Sequence, residues 1–172
     1  TNSSLDFSSA TLNWNSGTTT GNGQFNFESS TANFNTGTMP AQPTYFNYST
    51  LSSSLGSISN AKRITLNLYS TISANLNNTD SIIIDHYRNT FTGTYTNTSA
   101  SLLYFRCANN SGQITFNTGW TNNGKILMAG PYYYSDLFVT SGVLINPVGS
   151  IIKSSPNAYV YNRIYAAVNN QG

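Results

Sequence analysis

Charge is what this sequence has least of. Only 7% of its 172 residues are Asp, Glu, Lys or Arg, against about 25% in an ordinary soluble domain. The seven basic residues are scattered: Lys62 and Arg63 alone are adjacent, and none precedes position 62. Nucleic-acid binding needs a clustered basic patch that neutralises several phosphates, so no nucleic-acid partner is expected. Cysteine is almost absent too. Cys107 stands alone, which excludes an intramolecular disulfide and a thiolate metal site; next to Leu102, Leu103, Tyr104 and Phe105 it reads as a small buried hydrophobe. No apolar run approaches the ~20 residues that span a bilayer as a helix, so membrane insertion is not expected. No signal peptide is visible, and a chain opening at Thr1 is equally consistent with a processed product or an excised fragment.

Catalytic equipment is as sparse. His86 is the single histidine, and its neighbour Asp85 would point to the opposite side of a strand. Paired carboxylates for glycosidase chemistry would have to come from Asp6, Glu28, Asp80, Asp85 and Asp136, none of which lies in a distinctive motif. Walker loops, dinucleotide turns, HExxH and EF-hand signatures are missing. The expectation is a protein with no catalytic residues, no cofactor and no metal.

Asn, Ser and Thr take the place of charge, and aromatics reach 13%, with 12 Tyr, 9 Phe and 2 Trp. That is too much apolar surface for a disordered chain. An uncharged polar surface keeps its hydration across salt and pH and suits a protein outside cells, although AT-rich coding would give the same bias. Five Asn-x-Ser/Thr sequons, at Asn2, Asn47, Asn77, Asn97 and Asn109, are no more than this composition supplies by chance.

The first forty residues repeat after twenty. Residues 5–18 lie over residues 25–38 with half of the positions identical, including Phe7 on Phe27 and Gly17 on Gly37, while Trp14 meets Phe34. Within each unit the apolar positions alternate, then change parity at Ser8-Ser9, which reads as two short strands joined by a bend. So small a unit cannot bury its own apolar side and must stack on neighbours or on sister chains. The pattern of residues 3 to 38 resembles the β-structured shafts of trimeric virus and phage fibres. That resemblance implies a homotrimer whose interface includes Leu5, Phe7, Leu12, Trp14, Phe25, Phe27 and Phe34; the alternative is two hairpins packed on the domain C-terminal to them.

Met39-Pro40-Ala41-Gln42-Pro43 reads as a joint between a shaft segment, residues 1–38, and a head, residues 44–172. Ile64, Leu66, Leu68, Ile72, Ala74 and Leu76 share even positions, the mark of a sheet with one wet side. Short β candidates continue to Val168, separated by turn signals such as Asn123-Gly124. Leu51–Asn60 has a weak helical spacing. The expected fold class is all-β: a short repeat shaft leading into a jelly-roll or Greek-key sandwich.

Two stretches stand out as binding candidates. Gly130-Pro131 opens a loop, and the three consecutive tyrosines Tyr132, Tyr133 and Tyr134 cannot all face a core. Exposed tyrosine is enriched at recognition surfaces, though an intersubunit contact or a lid over the core uses it equally well. Trp120, beside Gly119 near a turn, is the second candidate. Together these features describe a virion-surface or extracellular fibre tip that attaches to a host receptor, protein or glycan. A filament subunit assembled by strand donation and a jelly-roll capsid protein are the alternatives.

Overall fold

The computed structural model describes residues 3–108, 110–130, 133–155 and 161–171. Every ladder among them is parallel. On the first face, eight strands stack in chain order: Ser4–Ser8, Gln24–Glu28, Thr44–Asn47, Ile64–Leu66, Ser81–Ile84, Leu102–Phe105, Lys125–Met128 and Ile151–Ser154. The second face stacks Thr11–Trp14, Thr31–Phe34, Thr50–Ser52, Thr71–Ile72, Asn89–Phe91 and Gly112–Phe116, then the opening halves of the long strands Ser135–Asn146 and Asn162–Asn170. A third face begins at Ile58–Asn60 and continues through Leu76–Asn78, Tyr95–Asn97 and Trp120–Asn122 to the closing halves of the same long strands.

The chain is therefore a parallel β-solenoid of about eight turns, and the expected jelly-roll or Greek-key head is overturned. Alternation of apolar residues did not distinguish the two, because both architectures put every second side chain inside. Ile64 to Leu76 is not one strand. It is three sides of a single coil, and the inward parity survives both corners: Ile64, Leu66, Ile72, Ala74 and Leu76 are all buried. Parallel strands require a long return path, and here the rest of each coil provides it. Leu51–Asn60 carries two strands rather than a helical turn.

The twenty-residue repeat is the register itself: Leu5 pairs with Phe25, Phe7 with Phe27, Thr11 with Thr31 and Trp14 with Phe34. The bend at Ser8-Ser9 is the corner between the first two faces. No break separates a shaft from a head. Phe25 pairs with Thr44 across the expected joint, within which Met39 is buried and donates its N–H to the Ser59 carbonyl at 2.8 Å.

Inside, side chains form rows along the axis. Phe7, Phe27, Phe46, Leu66, Ile84, Phe105 and Met128 occupy one row, all but Phe7 fully buried, each worth about 1.5–3 kcal/mol of apolar burial. A polar row closes the third face. Asn60, Asn78, Asn97, Asn122, Asn146 and Asn170 end their strands, and each Nδ2 before the last donates to the next Oδ1 at 2.7–2.9 Å. Five of the six are buried; a buried amide is tolerated only when its donors and acceptors are matched.

Asn123-Gly124 is not a hairpin turn. A Cβ at Gly124 would sit 2.5 Å from the Ser101 carbonyl oxygen, so glycine is required there because one coil's backbone passes close to the next.

Candidate interaction ridge

The corner joining the first and second faces is the part of the solenoid that changes along its length. The strands on either side of it are separated in sequence by two residues in each of the first three coils (Ser9 and Ala10 in the first), then by four, four, six, six and finally seven. The other corners show no such growth. Extra residues in a repeat protein gather on the side that binds. Tyrosine gathers there too: Tyr48, Tyr69, Tyr87, Tyr133, Tyr134 and Tyr161 all stand on this corner.

Its backbone is unusual. Ser9, Ser29, Tyr48, Tyr69 and Arg88 each stand two residues before a threonine of one register row (Thr11, Thr31, Thr50, Thr71, Thr90) and have φ between 49° and 64°. The left-handed conformation turns the chain between faces. The residue after it, Ser30, Ser49, Ser70 or Asn89, buries a polar group that satisfies local backbone, as when Ser30 Oγ donates to Glu28 O at 2.8 Å and accepts from Ala10 N–H at 3.0 Å. Asn or Gly would take this conformation at least cost, and bulky residues are rare in it. Three successive coils nonetheless place Tyr, Tyr and Arg there, directed to solvent.

These side chains form a stack. The Tyr48 and Tyr69 rings lie 5.5 Å apart and 11° from parallel. The Arg88 guanidinium lies 5.4 Å from the Tyr69 ring centre and 5.9 Å from that of Tyr87, and Nη1 donates to Tyr69 Oη at 3.1 Å. The half-buried His86 ring lies 4.6 Å from Tyr87; burial lowers its pKa, partly opposed by the charge of Asp85. Asp85 itself accepts a two-pronged contact from Arg106, with Nε to Oδ1 at 2.7 Å.

A second cluster lies two coils on. Tyr134 stacks on Tyr161 at 5.9 Å, and Phe138 on Tyr165 at 4.5 Å. Arg163 lies 5.2 Å from the Tyr134 ring and 5.6 Å from that of Tyr165, and holds Asp136 through bonds of 2.7 and 2.8 Å.

The structure separates the sequence-based candidates. Tyr133 and Tyr134 are 39% and 45% exposed on the ridge, whereas Tyr132 lies outside the described residues. Trp120 is only 4% exposed, packed between Tyr95 at 4.7 Å and Phe116 at 4.9 Å on the inner side, so it is a core residue and not a surface aromatic. Phe25, Phe27 and Phe34, expected at an interface between chains, are buried within this one; Phe7, Leu12 and Trp14 pack on the same core from the first coil, and Leu5 remains 54% exposed. Sequence reasoning singled out Asp85-His86-Tyr87-Arg88 as a dense polar cluster, read first as a strand-end feature and second as a ligand site. It missed Tyr48 and Tyr69, because nothing in a linear reading aligns them with Arg88 at spacings of 21 and 19.

Cys107, at φ 49°, belongs to the same corner and is fully buried, with Sγ 3.4 Å from Ser135 Oγ. Burial raises its thiol pKa, a shift that the Ser135 contact opposes. Iodoacetamide at pH 8 is therefore expected to leave Cys107 unmodified in the native protein and to label it in urea, as intact mass would record; rapid native labelling would place the thiol outside.

No family model, curated protein or solved structure matches this chain.

Proposed function

We propose that this protein is a rigid extracellular attachment module, part of a virus or phage fibre or spike, that presents its tyrosine ridge to a receptor on a host surface. The observation that carries this reading is the stepwise lengthening of one corner, with exposed tyrosines concentrated on it. The low charge and the aromatic-rich surface support an extracellular setting. Stacked parallel coils give a stiff rod, and its ridge shows many ring edges and hydroxyls in a fixed array, which lowers the entropic cost of recognition. Association with sister chains, expected as a trimer, finds half-buried apolar side chains on the outer side of the first face, where Tyr104 and Leu127 share one row.

The test is binding of the purified chain to arrayed host-surface glycans and receptor ectodomains. Replacing Tyr69 and Tyr134 by Ala should weaken the strongest interaction at least about tenfold while leaving circular dichroism and Tm unchanged. Unaltered binding by folded ridge variants would overturn the proposal.

A second reading, a polymerising structural subunit, has one observation behind it. The strands Ser4–Ser8 and Thr11–Trp14 form open edges of their sheets, with Leu5 of the first exposed, and open edges accept further strands. Sedimentation velocity decides it: growth with concentration supports end-to-end assembly, and a single species at all concentrations excludes it.

A further inference from the structure

The ridge carries three arginines, in two different electrostatic states. Arg106 is committed to Asp85, and Arg163 to Asp136, each through two parallel contacts. Such pairs leave little capacity for a further anion. Arg88 pairs with no carboxylate among the described residues. Its one side-chain hydrogen bond among the described residues, from Nη1 to Tyr69 Oη, uses one of the five guanidinium N–H groups. The acid of its own corner, Asp85, is already neutralised by Arg106.

We propose that Arg88, with Tyr48, Tyr69 and Tyr87 around it, forms a subsite for a carboxylate-bearing sugar, the acidic residue of a surface glycan; this rests on the ridge being the receptor-binding surface.

Three features converge on that chemistry. A guanidinium seated against aromatic rings is fixed in orientation, and its remaining N–H groups form the planar fork that matches a carboxylate through two bonds. Tyr48 and Tyr69 are 49% and 42% exposed and provide apolar rings with hydroxyls beside them, a surface suited to the C–H and O–H groups of a pyranose. Three of the four side chains that build the subsite, Tyr48, Tyr69 and Arg88, occupy left-handed backbone positions at φ 50°, 49° and 64°. The two preceding coils use serine there, so folding alone does not require tyrosine or arginine. A neutral sugar would engage the rings but leave the fork without a partner. An uncommitted cation on a chain of net charge +2 favours the acidic one.

The experiment titrates the whole chain with a glucuronate-containing oligosaccharide, a sialylated trisaccharide, their uncharged counterparts and a sulfated oligosaccharide, by calorimetry at low and physiological salt. A carboxylated sugar should bind more tightly than its neutral counterpart, and more weakly as salt rises. Arg88→Gln should reduce that binding at least about tenfold while leaving the weak neutral binding as it was. Equal affinity for acidic and neutral sugars, preference for the sulfated one, or wild-type binding by Arg88→Gln would each overturn the subsite. If neutral sugars bind as tightly as acidic ones and Tyr69→Ala abolishes that binding, the subsite fails but the ridge stands. If acidic sugars bind and neither Tyr69→Ala nor Arg88→Gln alters it, both fail. Arg88 is exposed and outside the core, so its replacement leaves the fold intact, which circular dichroism would verify.

Discussion

Replacing Asn97 by Ala is expected to lower the unfolding free energy by about 4 kcal/mol. Asn97 lies in the middle of the asparagine row and is fully buried. Its Nδ2 donates to Asn122 Oδ1 at 2.7 Å and to the Lys125 carbonyl at 3.2 Å; its Oδ1 accepts from Asn78 Nδ2, Tyr95 Oη and Ser101 Oγ at 2.7–3.0 Å. Not all of these partners are stranded by its loss. Asn78 keeps the Leu102 carbonyl, and Ser101 keeps that of Thr98. Asn122 Oδ1 loses its donor and the Tyr95 hydroxyl its acceptor, at about 1–3 kcal/mol each for a buried group. Asn170→Ala, at the exposed end of the row, should cost under about 1 kcal/mol because water replaces the missing partner. Urea denaturation of both variants checks this, and a loss below about 1 kcal/mol at position 97 would mean that the row is not a source of stability.

Asn97→Asp makes the same point through pH. A carboxylate there has no N–H to offer Asn122 or the Lys125 carbonyl, and burial disfavours its charge, so its folded pKa would lie above the unfolded value. The protonated acid is the form that fits. The variant should therefore be most stable below about pH 4, the unfolded carboxyl range, and lose stability as pH rises toward the elevated folded pKa.

The asparagine row also shows how much of this fold was legible in the sequence. An apolar-x-Asn triplet recurs at Ile58-Ser59-Asn60, Leu76-Asn77-Asn78, Tyr95-Thr96-Asn97, Trp120-Thr121-Asn122, Leu144-Ile145-Asn146 and Val168-Asn169-Asn170, once per coil on the third face. In a chain so rich in asparagine the triplets do not stand out, and coils of unequal length give them no constant period. The first two units revealed themselves because their first corner is short and their length is equal. Later coils lengthen mainly at that same corner, which erases the period while leaving the stacking intact. Parity marks which side chains point inward; whether neighbouring strands run parallel depends on contacts about twenty residues apart, which no local pattern contains. The ridge was half visible, since Tyr133 and Tyr134 declared themselves as consecutive aromatics, whereas Tyr48, Tyr69 and Arg88 become neighbours only once the coils are stacked.

Phe27→Ala tests whether the N-terminal aromatics are held by their own chain. Phe27 is completely buried, stacked between Phe7 at 4.8 Å and Phe46 at 5.1 Å, with the Phe34 ring edge-on at 6.3 Å. Truncation removes the central ring of this stack, and about 3–5 kcal/mol is the usual cost at such a site. Each coil touches only its neighbours, so the damage should stay local. Trp14, in the first coil, should report an early unfolding step, whereas Trp120, buried five coils further on, should keep its wild-type transition. The two are separated by following fluorescence in a Trp120→Phe background and its Trp14→Phe counterpart. The concentration dependence carries the decisive information. Were Phe7, Phe27 and Phe34 an interface between three chains, mass action would make the first transition rise with protein concentration over about a 100-fold range. Packing within one chain makes it independent of concentration, in the wild type and in Phe27→Ala alike, and a transition that climbed with concentration would return these rings to an intersubunit role.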